Sequence, residues 1–436
     1  MKYFGTDGIR GAATIFTKDF LGSIVAGLAD YAGTDKSVLI GGDTRESTEW
    51  ILQDLSTALE SLGFEYASVG VLPTPAINYC FYQMGFDFAI DVTASHNPYT
   101  DNGIKIFERG ATSGVKLGEK GCEAIEAAII AQKKCPEIAT SDRMDLSDEA
   151  IAIYREHLLD YLEGTDLSGL HIGMDCANGA TSVIGKQVFE TLGATVELIH
   201  ADASFGQSIN MNCGSTHPES LRELVTSKNL DFGVAYDGDG DRTILIDHTG
   251  LEIDGDDTLA ILANFLNLDQ IAVTVMSNQG LLNWAKSHNV KTEITSVGDS
   301  NVAAAMRELD IKIGGEQSGH IILPGESTGD GMLTSLMLAK VVSTTGTPLH
   351  DLRLEKLPQI TVNLTATPEQ KSALKTKDTA KNLLLDYGKA LESTGGRLLV
   401  RPSGTENLIR ITLWGTDESV IRDLAEELKT KLGETL

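Results

Sequence analysis

A unit of strand, polar loop, amphipathic helix, helix-stopping residue and second strand recurs three times in this 436-residue chain, and that repeat limits the possible folds more than any other feature. In the first copy, residues 38–40 read as a strand and Gly41-Gly42-Asp43-Thr44-Arg45 as the loop. Ile51, Leu55, Ala58, Leu59 and Leu62 then form the apolar face of a helix that Gly63 stops, before a strand at 66–69. In the second copy the strand is 172–174 and the loop Asp175-Cys176-Ala177-Asn178-Gly179. Val183, Ile184, Val188 and Leu192 mark its helix, Gly193 the stop, and 196–199 the next strand. The third copy has a strand at 271–275, the loop Ser277-Asn278-Gln279-Gly280, and a helix opened by Leu281, Leu282 and Trp284. Asn289 stops that helix, and a strand runs from Lys291 towards Ile294.

Each copy then offers a further strand that ends in an unusual polar loop. Residues 88–92 lead into Thr93-Ala94-Ser95-His96-Asn97-Pro98, and 232–236 into Asp237-Gly238-Asp239-Gly240-Asp241-Arg242. Residues 311–313 lead into Gly314-Gly315-Glu316-Gln317-Ser318-Gly319-His320. Alternating strands and helices predict α/β layers, and ligands in such sheets sit beyond the C-terminal ends of strands. Three equivalent loops are therefore expected to converge on one site.

The tail departs from this plan. From about Pro358 it reads as a strand at 360–364, a helical stretch, and a strand pair at 397–400 and 408–413. A last amphipathic helix runs through Val420, Ile421, Leu424, Leu428 and Leu432. The expected architecture is three repeated mixed α/β domains, at 1–145, 146–248 and 249–358, plus a small C-terminal α+β domain at 359–436.

The loop 237–242 alternates carboxylates with glycines. Three carboxylates so close repel one another, and a hard cation is the natural neutraliser. The glycines let the backbone fold tightly enough for all three to converge. A solvated acidic turn is the competing reading. An EF-hand is excluded, because its sixth and twelfth positions need Gly and Glu and here hold Arg242 and His248. Asp237, Asp239 and Asp241 are thus candidate metal ligands, with Arg242 beside them to meet an anion.

A lone loop serine usually caps a turn, but the neighbours of Ser95 point further. His96 can hydrogen-bond or shuttle a proton, Asn97-Pro98 fixes a turn, and Lys105 brings a nearby positive charge. Ser95 lacks the Gly-x-Ser-x-Gly elbow of a serine hydrolase. Arg401-Pro402-Ser403-Gly404-Thr405 offers a guanidinium, two hydroxyls and backbone N–H groups, the make-up of a phosphate cradle or of a plain hairpin turn. Arg10 is a further local cation, and Glu316, Ser318 and His320 offer what a sugar-hydroxyl site needs. Gly238-x-Gly240 lacks the third glycine of a dinucleotide fingerprint, and 179–186 misses the P-loop spacing by one residue.

The formal net charge is -27. Duplex binding needs a basic footprint, so nucleic acid is excluded as a partner, and an anionic membrane surface is repelled. A small anionic ligand remains possible where local cations hold it. Five cysteines without a C-x-x-C pair predict reduced thiols. No apolar run approaches the roughly 20 residues of a membrane span, and residues 1–11 lack the apolar core of a signal peptide. A cytoplasmic location is expected.

The four loops, in this order and spread over essentially the whole chain, resemble the α-D-phosphohexomutase family. Residues 93–98 are similar to its phosphoserine loop, 237–242 to its metal loop, 315–320 to its sugar-recognition loop and 401–407 to its phosphate-binding loop. Phe4-Gly5-Thr6-Asp7-Gly8-Ile9-Arg10-Gly11, Tyr99 with Asp101-Asn102-Gly103-Ile104-Lys105, and Cys213-Gly214-Ser215-Thr216 resemble the bacterial branch acting on glucosamine phosphates. Gln317 stands where the phosphomannomutase/phosphoglucomutase branch usually has Met. One departure is Ser300, after Gly298-Asp299, where the glucosamine branch usually carries Arg.

The resemblance implies an isomerase that interconverts glucosamine 6-phosphate and glucosamine 1-phosphate through phosphorylated Ser95 and a bisphosphorylated sugar. That step lies on the route to UDP-N-acetylglucosamine and peptidoglycan precursors. It implies four domains around a central cleft, a monomer or homodimer, one Mg²⁺ per subunit held by Ser95, Asp237, Asp239 and Asp241, and a bisphosphorylated hexose as activator. Lys105, His96 and His320 become candidates for proton transfer, with Arg10 beside them. Glu316 and Ser318 are expected on sugar hydroxyls, and Arg242, Arg401, Ser403, Gly404 and Thr405 on phosphate. The alternatives are phosphomannomutase or phosphoglucomutase activity and, in another class, a phosphatase that discharges the phosphoserine to water.

Overall fold

The computed structural model describes residues 2–5, 7–138, 144–403 and 407–436. They fall into two compact units, one of Met1–Thr274 with Glu293–Arg353 and one of Val275–Thr292 with Leu354–Leu436.

The first unit repeats one strand arrangement, for reasons visible in the sequence. In the first copy Ser37–Gly42 pairs in parallel with Glu65–Val71 on one side and Phe88–Val92 on the other, and Phe88–Val92 pairs antiparallel with Asp101–Arg109. In the second, His171–Asp175 lies parallel to Thr195–Ile199 and Phe232–Tyr236, and Phe232–Tyr236 is antiparallel to Thr243–Asp247. In the third, Gln270–Thr274 is parallel to Gly314–Gly315, which is antiparallel to Ile321–Ile322. Each polar loop is therefore the connection from a parallel strand into an antiparallel neighbour. Both faces of Phe88–Val92 and Phe232–Tyr236 are buried, which explains their near-continuous apolar runs.

The first-copy helix, Glu46–Leu62, buries Ile51, Leu55 and Leu59 against Ile40, Ile90 and Val92. The expected stops take left-handed backbone: φ is 86° at Gly63, 102° at Gly193 and 58° at Asn289.

Three expectations need correction. The second-copy helix spans only Gly185–Thr191, after a 3₁₀ turn at Ala180–Val183. There the chain is diverted by the bond from Ala180 N–H to Gly238 O at 2.8 Å. The strand expected at 311–313 begins later, at Gly314, because Ala272 opposes Gly314 and its N–H takes Ile313 O at 3.1 Å. In the last helix, Glu418–Thr435, Val420 is 52% exposed rather than part of the apolar face. It lies in the first turn, one register away from the buried Ile421, Ala425, Leu428 and Leu432 stripe.

The second unit holds an antiparallel sheet in the order Gln359–Thr365, Leu408–Trp414, Arg397–Pro402. The helical stretch is two helices, Pro368–Thr376 and Asp378–Glu392. Ile409, Ile411, Leu413, Ile421, Leu428 and Leu432 form its core. Arg397 lies 3.9 Å over the Trp414 ring and donates to Ser277 O at 2.5 Å, tying in the segment that carries the helix Gln279–Ser287.

Candidate active site

Within the first unit the three polar loops meet. Ser95 adopts φ 52°, left-handed backbone that a non-glycine residue rarely takes. Its hydroxyl donates to Asp237 Oδ2 at 2.7 Å and lies 3.2 Å from His96 Nδ1. The third loop joins through Thr243 N–H, which donates to Gly319 O at 3.1 Å.

Asp237, Asp239 and Asp241 are buried, and each brings a carboxylate oxygen within 4.8 Å of the other two. Asp239 Oδ1 and Asp241 Oδ1 are buried without a hydrogen-bond partner among the described residues. Three close carboxylates with two oxygens that accept no hydrogen bond among the described residues fit a hard, oxygen-preferring cation. Two glycines make the convergence possible: Gly240 has φ 69°, and a Cβ on Gly238 would lie 2.7 Å from Ser95 O.

The charges around this loop are balanced. Lys105 is buried and donates to Asp239 Oδ2 at 2.7 Å and Asp241 Oδ2 at 2.9 Å. Burial works against its charge, but Asp239, Asp241 and Asp7 hold its pKa well above the ordinary range. Burial and the neighbouring Asp239 and Asp241 push Asp237 well up. Burial would push Asp241 up as well, but Lys105, His320 and Arg242 hold it down. Arg10 pairs with Asp7, and despite burial Asp7, Asp239 and Asp241 keep its pKa raised.

Arg242 Nη1 lies 3.1 Å from His96 Nδ1. Arginine can only donate, so Nδ1 is the acceptor and the neutral ring carries its proton on Nε2. Burial first, then Arg242 and Arg10, lower the His96 pKa to about 4.

His320 is 2% exposed; its Nε2 accepts Gly329 N–H at 3.2 Å and lies 3.4 Å from Asp299 Oδ2, and its Nδ1 is buried without a hydrogen-bond partner among the described residues. Glu316 Oε1 accepts Gly298 N–H at 2.8 Å, linking the third loop to the helix Asp299–Leu309 that carries Ser300. Ser318 is exposed on that loop. Arg401 and Ser403 belong to the second unit, where Ser403 O accepts from Lys371 Nζ at 3.0 Å. Gly404 and Thr405 lie outside the described residues.

Residues 1–135, 152–250 and 254–360 match the alpha/beta/alpha domains I, II and III of phosphoglucomutase/phosphomannomutase, and 367–431 match its C-terminal domain. The chain belongs to the phosphoglucomutase/phosphomannomutase family. Within this family it is 41% identical to a phosphoglucosamine mutase of Caldicellulosiruptor bescii, over 98% of this chain and 98% of that one. It is 38% identical to a phosphoglucosamine mutase of Staphylococcus haemolyticus, over 99% of each. Among solved structures, a phosphoglucomutase/phosphomannomutase family protein of Burkholderia thailandensis shares the fold with a TM-score of 0.79, at 20% identity over 98% of this chain and 96% of that chain.

This family member also contains site residues that motif reading missed. Lys116 pairs with both Asp7 and Asp299, so it connects the Arg10–Lys105 side of the site to His320. Thr74 Oγ1 lies 2.5 Å from Asp91 Oδ2 and 2.9 Å from Asp239 Oδ2; its one proton goes to Asp239, and it accepts from the Asp91 carboxyl, whose pKa burial pushes well up, so Thr74 buttresses the acidic loop. Lys116 follows no motif, and Thr74 opens an ordinary helix; only tertiary pairing gives either a place. No described helix is long and apolar enough to cross a membrane.

Proposed function

We propose that the chain is a phosphoglucosamine mutase, which interconverts glucosamine 6-phosphate and glucosamine 1-phosphate by way of phosphorylated Ser95. The observation that carries the reading is the Ser95 hydroxyl, 2.7 Å from the first of three clustered buried carboxylates. Whole-length likeness to two phosphoglucosamine mutases supports the choice of sugar.

In the forward step the bond between phosphorus and Ser95 Oγ breaks, and a bond forms to the free sugar hydroxyl. The hydroxyl proton leaves to a side chain. The bisphosphorylated sugar then returns the phosphoryl group at its other end to Ser95 Oγ. Asp237, Asp239 and Asp241 would hold Mg²⁺, which when bound offsets negative charge on the phosphoryl oxygens.

This chain's own residues bind and position. Arg10 and Arg242 supply guanidinium groups for phosphate oxygens beside Ser95. The ammonium of Lys105, held charged by its carboxylates, stays protonated in this arrangement. His96 Nδ1 accepts while Arg242 faces it, so that atom has no proton to give. Glu316 and Ser318 are assigned to sugar hydroxyls, and Arg401 and Ser403, with Gly404 and Thr405, to the phosphate that does not react. His320, whose Nε2 accepts Gly329 N–H at 3.2 Å, carries the neutral ring's proton on its uncommitted Nδ1 and is the candidate to give a proton there.

The reading is tested by incubating dephosphorylated enzyme with glucose 1,6-bisphosphate and Mg²⁺ and following intact mass. Gain of one phosphoryl group, mapped to Ser95 and absent in Ser95→Ala, is expected. Phosphorylation elsewhere, or none, would sink it.

A further inference from the structure

The backbone of Ser95 is gripped at both ends of the residue. On the carbonyl side, Arg45 Nη2 and Asn210 Nδ2 both donate to Ser95 O at 2.8 Å. Arg45 spends the rest of its fork on the same loop, donating to Asn97 O at 2.8 Å, to Asp101 O at 3.1 Å and to Pro98 O. On the amide side, Ser95 N–H donates to Thr93 Oγ1 at 2.9 Å, and Thr93 Oγ1 donates to Asp43 Oδ2 at 2.7 Å. Asp43 Oδ2 also takes Arg45 Nε–H at 2.9 Å, and both side chains are 0% exposed. One buried ion pair therefore controls both peptide groups of Ser95.

Asn210 reaches the same oxygen from the second repeat. Its N–H donates to Ala177 O at 2.9 Å. Asp175 braces that loop by accepting Ala177 N–H at 2.9 Å, Gly214 N–H at 3.0 Å and His200 Nδ1 at 2.9 Å. Asp175, His200 and Cys213 have the donor types of a metal site. Three hydrogen bonds to the Asp175 oxygens make the set a brace instead.

These bonds hold a left-handed serine that would otherwise relax towards commoner backbone. Relaxation would swing Oγ away from Asp237. We propose that Arg45 and Asn210 are positioning residues, which hold the Ser95 backbone so that its oxygen faces the carboxylate cluster. The inference rests on the phosphoserine reading for its kinetic consequence, but not for its structural one.

Asn210→Ala and Arg45→Lys in the full-length protein test it. The first removes one donor from a half-buried side chain; the second keeps a charge for Asp43 but cannot span four carbonyls. Amide hydrogen exchange in unphosphorylated protein should quicken at residues 93–98 and stay unchanged elsewhere. With glucosamine 6-phosphate, kcat should fall about 10–100-fold with KM within about twofold, since a small misplacement costs that much. A folded Asn210→Ala protein with wild-type exchange at 93–98 and wild-type kcat would overturn the proposal. Should Arg45→Lys fail to fold, Asn210→Ala decides alone. Should the wild type not isomerise the sugar, exchange still decides the positioning claim, so the two failures are distinguishable.

Discussion

Lys105 Nζ donates to Asp239 Oδ2 at 2.7 Å inside the protein, where neither group meets water. The same ammonium reaches Asp241, so one cation compensates two of the three clustered carboxylates. Removing one partner of a buried ion pair typically costs about 3–5 kcal/mol. Lys105→Met should therefore lower Tm sharply in EDTA, and saturating Mg²⁺ should recover part of the loss. Thermal melts with and without Mg²⁺ check this. Equal destabilisation in both would mean that the cation does not bind these carboxylates.

The acidic loop touches the serine loop through a glycine. A Cβ at Gly238 would sit 2.7 Å from Ser95 O and 2.8 Å from Ile209 Cδ1. Ser95 O is backbone, so it cannot turn aside. Gly238→Ala is expected to destabilise by roughly 1–3 kcal/mol and to reduce kcat about 10²-fold by shifting Ser95. Gly388 is the control: it lies mid-helix, and a Cβ there meets nothing within 4 Å. Gly388→Ala should gain about 0.5–1 kcal/mol and keep full activity. Denaturant unfolding and steady-state assays on both variants make the comparison.

Asp330 caps the helix Gly331–Thr345 and accepts from the buried Tyr154 hydroxyl at 2.9 Å. Burial raises its pKa to about 7 from 3.8. Between those values the native carboxyl keeps a proton that the unfolded chain has released. Stability must therefore fall as pH rises through this window and level off above it. Asp330→Asn keeps an acceptor for Tyr154 and for the cap while abolishing the titration. The variant should gain on the wild type between pH 4 and 7, by at most about 4 kcal/mol. Parallel stability profiles would contradict the assignment.

His96 shifts the other way. Burial, reinforced by Arg242 and Arg10, lowers its pKa from 6.5 to about 4. As pH falls through that interval the unfolded chain takes up a proton that the native ring refuses, so the native state loses ground. NMR titration of unphosphorylated, metal-free protein should find His96 neutral at pH 6, with its proton on Nε2. A midpoint near 6.5 would mean that the ring is neither buried nor faced by Arg242.

The fold was legible where apolar period and stop residues agreed. Phe88–Val92 and Phe232–Tyr236 are the strands expected, and Gly63 and Asn289 end helices as expected. Reading was weakest where tertiary contacts override local pattern, as at Gly314–Gly315, a two-residue strand whose pairing register sets its place. In the site, Ser95, Lys105 and the three aspartates stood out because dense charge or a reactive group sits among turn residues. Arg45 was visible only as part of a polar loop, and Asn210 not at all. Their roles depend on backbone carbonyls some 50 and 115 residues away in sequence, which no local pattern encodes.

The most direct test of the central claim is isomerisation of glucosamine 6-phosphate against glucose 6-phosphate and mannose 6-phosphate, with Mg²⁺, a trace of hexose bisphosphate, and Ser95→Ala as control. The account predicts that the amino sugar leads in kcat/KM by orders of magnitude and that Ser95→Ala is inactive. A lead for glucose or mannose 6-phosphate would contradict the substrate, with Ser300 the first residue to revert to Arg. Full activity in Ser95→Ala would contradict the mechanism itself.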